Sequence, residues 1–170
     1  MIIKPFTIFC DYDEVLVDLF RGMRNALGHR WDDSHWHAST EEKRAIIAKK
    51  EGFWENLTPT IDYGPLWSFI EPFNPCILTG LAPWDKRSIK GKWEWNLKYT
   101  QVPKERFFCV PREDKWQFAT NPDGSKNLLI DDYKLNIKQW ADAGGISVYH
   151  TSAASTIMKL KNLGFYSDEF

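Results

Sequence analysis

Long apolar runs are missing from this sequence, and so are internal repeats, low-complexity tracts and any excess of one charge. The apolar stretches fall far short of the roughly 20 residues that a helix needs to cross a bilayer. The opening MIIKPFTIF lacks the apolar core and small-residue cleavage site of a secretory signal, so a cytoplasmic protein without membrane contact is expected. Lysine and arginine number 22 against 23 acidic side chains, a formal charge of −1. No broad field therefore favours a polyanion, and an extended nucleic-acid surface is not expected. Cysteine is scarce. Cys10, Cys76 and Cys109 are odd in number, far apart and set beside apolar residues, which argues against a disulfide framework or a thiolate metal knuckle and predicts reduced, buried thiols.

What is present fits one α/β domain over residues 1–170, since 43% hydrophobic and 26% charged residues are the profile of a globular chain. Five short apolar runs have strand length: FTIFC ending at Asp11, PCILT at Thr79, RFFCV near Arg112, NLLI at Asp131 and ISVYH at His150. Between the later runs lie APWDKRSIKGKWEWNLKYT, DDYKLNIKQWADAGG and TSAASTIMKLKNLG, which read as helices, the last two closing on glycine. Alternating strands and helices predict a Rossmann-like parallel sheet flanked by helices on both faces. Residues 19–63 break that alternation. They start as a helix, pass through the aromatic GHRWDDSHWHAST and continue in STEEKRAIIAKKEGFW, where Ser39 or Thr40 can cap a second helix. This segment reads as a small helical cap inserted after the first strand, and TNPDGSKN as a turn-rich loop.

The run TIFCDYDEVLVDLF poses the chemical question. Asp11 and Asp13 sit one residue apart between apolar neighbours, and like charges so close require a cation between them or a proton on one. In an open parallel sheet, ligands sit beyond the carboxyl ends of the strands. Four of those ends carry Asp11 and Asp13, then Thr79, then Arg112 and Lys115, then Asp131 and Asp132. Several carboxylates with a hydroxyl and an ammonium fit a phosphate site built on a hard divalent cation, with magnesium the expected cofactor.

These residues resemble the haloacid dehalogenase (HAD) superfamily of phosphatases. DYDEV is similar to its first motif, Asp-x-Asp-x-Thr/Val; ILTG to its second, an apolar strand ending in Thr or Ser; LLIDDY to its fourth, an apolar strand ending in paired Asp. A narrower resemblance is to 5'(3')-deoxyribonucleotidases, carried by GFWENLTPTIDYGPLW, KWEWNLKY and REDK. It implies a magnesium-dependent hydrolase that removes phosphate from deoxyribonucleoside monophosphates. By resemblance Asp11 is the nucleophile that forms an aspartyl phosphate, and Asp13 is the general acid and then the base. The metal falls to Asp11, Asp13 and either Asp131 or Asp132; Thr79 and the Gly80 backbone hold phosphoryl oxygens. Lys92 and Lys115 compete for the cationic role, with Lys90 and Lys126 behind them. One position departs from the pattern: Glu14 stands where glycine is common. Turned inward, it would repel a phosphate, and a non-catalytic nucleotide sensor is the alternative it raises. A phosphatase of another small metabolite or of nucleic-acid 3' ends is the alternative within the enzyme class.

Other readings stand beside these. Asp131 and Asp132 can cap the helix that follows them. His35 and His37, beside Asp32 and Asp33, have no further His or Cys at zinc spacing and read as surface. Most of the nine tryptophans are packing residues, but Trp31, Trp36, Phe53 and Trp54 fall in the cap and are candidates to face a small phosphorylated substrate, nucleotides first. Phe20 joins them by resemblance.

Overall fold

A computed structural model of the protein describes residues 1–28 and 39–168. The five apolar runs form one parallel sheet: β2 (Thr7–Cys10), β3 (Cys76–Gly80), β4 (Phe107–Val110), β5 (Asn127–Asp131) and β6 (Ile146–Tyr149), in the order β4-β3-β2-β5-β6. Its register sets Cys10 beside Ile77 on one side and Ile130 on the other. Side chains alternate between the two faces. Ile8, Cys10, Ile77, Leu128 and Ile130 enter one apolar cluster, while Phe9, Leu78 and Leu129 enter a second with Trp140. A sheet buried on both faces requires this near-continuous apolar pattern.

The helices are α1 (Leu19–Leu27), α2 (Thr40–Ala48), α3 (Tyr63–Ile70), α4 (Arg87–Tyr99), α5 (Lys134–Asp142) and α6 (Ala153–Asn162). Ser39 caps α2 in a reciprocal box with Glu42, satisfying two otherwise orphaned donors. The Asp18 side chain caps α1 by accepting from Arg21 N–H. The three cysteines are free thiols; Cys10 and Cys76 are buried as expected, but Cys109, on the edge strand β4, is only half-buried.

Three elements lie outside the strand–helix alternation read from the sequence. Helix α3 occupies part of the stretch between α2 and β3. Tight helical turns over Arg112–Phe118 follow β4. A two-stranded antiparallel sheet joins β1 (Ile2–Ile3) to β7 (Tyr166–Ser167), strands too short to show a period of two. The expected capping of α5 by Asp132 is corrected: Tyr133 holds the N-cap position without a side-chain cap, and Tyr133 N–H donates to the Asp131 carboxylate.

The segment after β2 leaves and rejoins the core at one place. Val17 pairs with Pro59, Asp18 N–H donates to Thr58 C=O and Thr60 N–H to Leu16 C=O. Between these points run α1, the undescribed residues 29–38 and α2. Among the described residues no helix is long and apolar enough to cross a membrane.

Candidate active site

Strand β2 is the middle strand, and the chain runs to β3 and β4 on one side of it before crossing to β5 and β6 on the other. Such a switch point opens a crevice at the carboxyl ends of the strands. Asp11 stands there, its N–H donating to Ile130 C=O at 3.0 Å. Tyr12 between the two aspartates points into the core, where its hydroxyl lies 2.8 Å from Thr100 Oγ1 and its ring packs edge-on against Trp95. Because a strand alternates its faces, anchoring Tyr12 inward turns its neighbours the other way.

Lys115 reaches the site from the turns after β4, with Nζ 2.9 Å from both Asp11 Oδ1 and Asp131 Oδ2. All three side chains are buried. Burial works against the Lys115 ammonium, but the Asp11 and Asp131 carboxylates together outweigh it and hold its pKa above the ordinary lysine value. Asp131 uses both oxygens: Oδ2 also accepts from Asn136 Nδ2 at 2.9 Å, and Oδ1 from Tyr133 N–H at 2.8 Å.

A second ammonium lies on α4. Lys92 Nζ donates to Asp13 Oδ2 at 2.6 Å, to Thr79 Oγ1 at 3.0 Å and to Gly80 C=O at 2.7 Å, which occupies all three of its donors. The other Asp13 oxygen, Oδ1, is buried with no hydrogen-bond partner. Lys90 instead faces solvent with Glu94.

Asp11, Asp131 and Asp132 each offer one oxygen, and these lie within 4.8 Å of one another. Burial pushes the Asp11 carboxyl up to about 8, against the Lys115 ammonium and with help from Asp131 and Asp13. Burial also lifts Asp132 to about 6, Asp131 adding to it. Three carboxylates forced together with one ammonium between two of them fit a hard divalent cation, which would reverse both shifts. An orphaned Asp13 oxygen beside them points the same way.

Glu14 adopts a left-handed backbone, φ +60°, the conformation that makes glycine common at such a turn. Its Oε1 accepts from Phe20 N–H at 2.7 Å, so the carboxylate is tied to the start of α1.

The cap-facing residues separate. Trp54 is buried beside Lys92, whose Nζ lies 5.3 Å from the ring centroid. It helps to line a cleft of about 440 Å³ that Asp13 and Lys92 also border. Phe53 packs edge-on against Trp54 within the core and does not line that cleft. Phe20 is exposed and borders a different hollow with Asp18 and Arg21. Trp31 and Trp36, like His35 and His37, lie outside the described residues.

Sequence reading missed a group that holds this wall together. Asp85 Oδ2 accepts from Trp54 Nε1 at 3.0 Å, and the Arg87 guanidinium clamps both Asp85 oxygens and donates to Ala48 C=O at the end of α2. Trp84 stacks near Trp54, ring centroids 5.7 Å apart. The only signal available was an aspartate just before a helix, which reads as a cap.

No family model and no curated protein matches the chain. Solved structures do. A hydrolase from Streptococcus pneumoniae TIGR4 aligns over 94% of this chain and 100% of its own, with 15% identity and a TM-score of 0.58. YfnB of Bacillus subtilis, described as a HAD-hydrolase and solved bound to magnesium, aligns over 95% and 99%, with 14% identity and a TM-score of 0.58. A haloacid dehalogenase-like family hydrolase from Streptococcus pneumoniae aligns over 92% and 91%, with 13% identity and a TM-score of 0.54. At these identities the likeness is one of fold: the chain has the α/β fold of HAD-like hydrolases.

Proposed function

We propose that this protein is a magnesium-dependent phosphomonoesterase that dephosphorylates small nucleotides, deoxyribonucleoside monophosphates first, through an aspartyl phosphate. The observation that carries the reading is the meeting of Asp11, Asp131 and Asp132 with the buried Lys115 at the switch point of the sheet. Lys92, Thr79 and Asp13 join it from the neighbouring strand and helix. The acid at Asp13 favours an enzyme, because a binding module has no need of an acid there.

Each residue then has a task. Lys115 and Tyr12 N–H both hold Asp11 Oδ1, which leaves Oδ2 to attack phosphorus as the ester P–O bond breaks. Asp13 gives its proton to the departing alkoxide and takes one back from the water that cleaves the acyl phosphate, regenerating the Asp11 carboxylate. Lys92 exchanges one of its three acceptors for a phosphoryl oxygen, and Thr79 with the backbone at Gly80 holds others. Asp11 and Asp132 would hold the magnesium together with Asp131, whose Oδ2 also fixes Lys115. When bound, the ion supplies positive charge against the phosphoryl oxygens. Trp84, half-buried and backed by Trp54, gives the cleft an aromatic wall, on which a base can stack for about 1–3 kcal/mol. Glu14 is tied to Phe20 N–H and is half-buried within reach of the Asp132 and Asp13 charges; turnover distinguishes the phosphatase from the sensor.

The test is phosphate release from deoxy- and ribonucleoside monophosphates, sugar phosphates and a 3'-phosphorylated oligonucleotide, in magnesium and in chelator. Expected is magnesium-dependent release from the nucleoside monophosphates, with Asp11→Asn slower by about 10⁴-fold or more. Unchanged turnover in Asp11→Asn would sink the mechanism.

A further inference from the structure

The cleft holds two cations that the chemistry above does not use. Arg44 comes from α2 and Arg112 from the turns after β4, and both line the same cleft as Asp13 and Lys92. Neither makes an ion pair with a carboxylate among the described residues. Each guanidinium instead lies by an aromatic ring: Arg44 is 5.8 Å from the Trp84 centroid and Arg112 is 5.1 Å from that of Tyr133.

Both arginines are exposed at the mouth of the cleft, each beside a ring. A ring beside the guanidinium limits its freedom, while the in-plane N–H donors stay available to an anion. The charge balance of the wall points the same way. Lys92 and Asp13 belong to the first phosphate's chemistry, and of the remaining charged residues lining the cleft Arg44 and Arg112 face Glu113 alone. A positive rim attracts any phosphate ester, and two guanidiniums free of carboxylates can hold an anion at the rim.

The geometry points to a substrate with a second anionic group: a small phosphate ester whose leaving portion carries another phosphate, received by Arg44 and Arg112 while the first phosphate lies at Asp11. This rests on the phosphomonoesterase reading for the position of the first phosphate.

Calorimetric titration of the Asp11→Asn protein in magnesium tests the inference without turnover. The probes are thymidine 5'-monophosphate and thymidine 3',5'-bisphosphate. The bisphosphate is expected to bind at least about tenfold tighter, the range of a charge-assisted contact. Arg44→Ala and Arg112→Ala, each placed in that protein, should remove most of the gap and leave monophosphate affinity nearly unchanged. Equal affinities, or a gap that both substitutions leave intact, would overturn it. Turnover of p-nitrophenyl phosphate by the wild-type protein separates the two proposals. Turnover without a bisphosphate preference keeps the phosphatase and removes the second anion site. A preference without turnover keeps the site and removes the phosphatase.

Discussion

Glu14 shows how one residue can break a local rule and be compensated. A non-glycine residue at φ +60° costs on the order of 1 kcal/mol or more, and a hydrogen bond to Phe20 N–H returns about the same. Glu14→Gly should therefore leave stability within about 1 kcal/mol and phosphate release within a few fold, checked by urea unfolding and by turnover. A large gain in turnover would mean that the carboxylate does face the phosphate. Lys115 is the opposite case. It is the ammonium between two buried carboxylates, and removing one member of such a group leaves uncompensated charge, a loss of about 3–5 kcal/mol. Lys115→Met in chelator should lose stability on that scale. Added magnesium should recover part of it, because a second cation meets the same carboxylates; a variant as stable as wild type in chelator would refute this account.

At the scale of elements, the site depends on how closely the segment after α2 approaches α4. Gly91 lies in that helix one residue before Lys92, and a Cβ there would fall 2.4 Å from Trp54 Cβ and 3.2 Å from Glu55 N. Alanine would improve helix propensity by about 1 kcal/mol, but the obstructing atoms belong to or adjoin backbone and cannot swing aside. Overpacking of about 1–3 kcal/mol should win. Gly91→Ala is thus predicted to lower the midpoint of thermal unfolding and to weaken turnover, as Trp54 is pushed from Lys92. A raised midpoint would show that the segment has room to move. The Asp85 clamp on Trp54 and Arg87 belongs to the same junction, tying the end of α2 to the loop after β3.

At the scale of the whole molecule, His150 joins parts far apart in sequence. It follows β6, its Nδ1 lies 2.8 Å from Thr156 Oγ1 in α6, and its Nε2 lies 3.6 Å from Asp62, which also accepts from Ala153 N–H. Burial lowers its pKa below the ordinary histidine value; Asp62 opposes that shift and Lys159 adds to it. The unfolded chain therefore binds this proton more readily than the folded one. Stability from His150 is complete above about pH 6.5, the unfolded value, and is lost as pH falls through the depressed folded pKa. Thermal unfolding of wild type and His150→Gln across pH 5–8 should show a smaller acid loss in the variant below about 6.5. Parallel curves would assign the acid limb to other groups.

Much of this protein is set by local sequence. The five strands are legible because a strand buried on both faces must be an apolar run, and Asp11, Thr79 and Asp131 are legible as polar residues at the ends of such runs. The same pattern identifies Asp132 and, through its neighbours, Lys115 as candidates. Only the folded chain decides which charges meet. Lys92 and Lys90 are two residues apart on one helix, yet one is buried against Asp13 and the other faces solvent, because helix rotation relative to the sheet is a tertiary quantity. Likewise Phe53 and Trp54 are adjacent aromatics that both enter the core, and packing brings only Trp54 to the edge of the cleft. Strand period and strand-end chemistry are local, so sequence alone determines them; partner choice among like residues depends on distances across the fold, and the tertiary structure determines those.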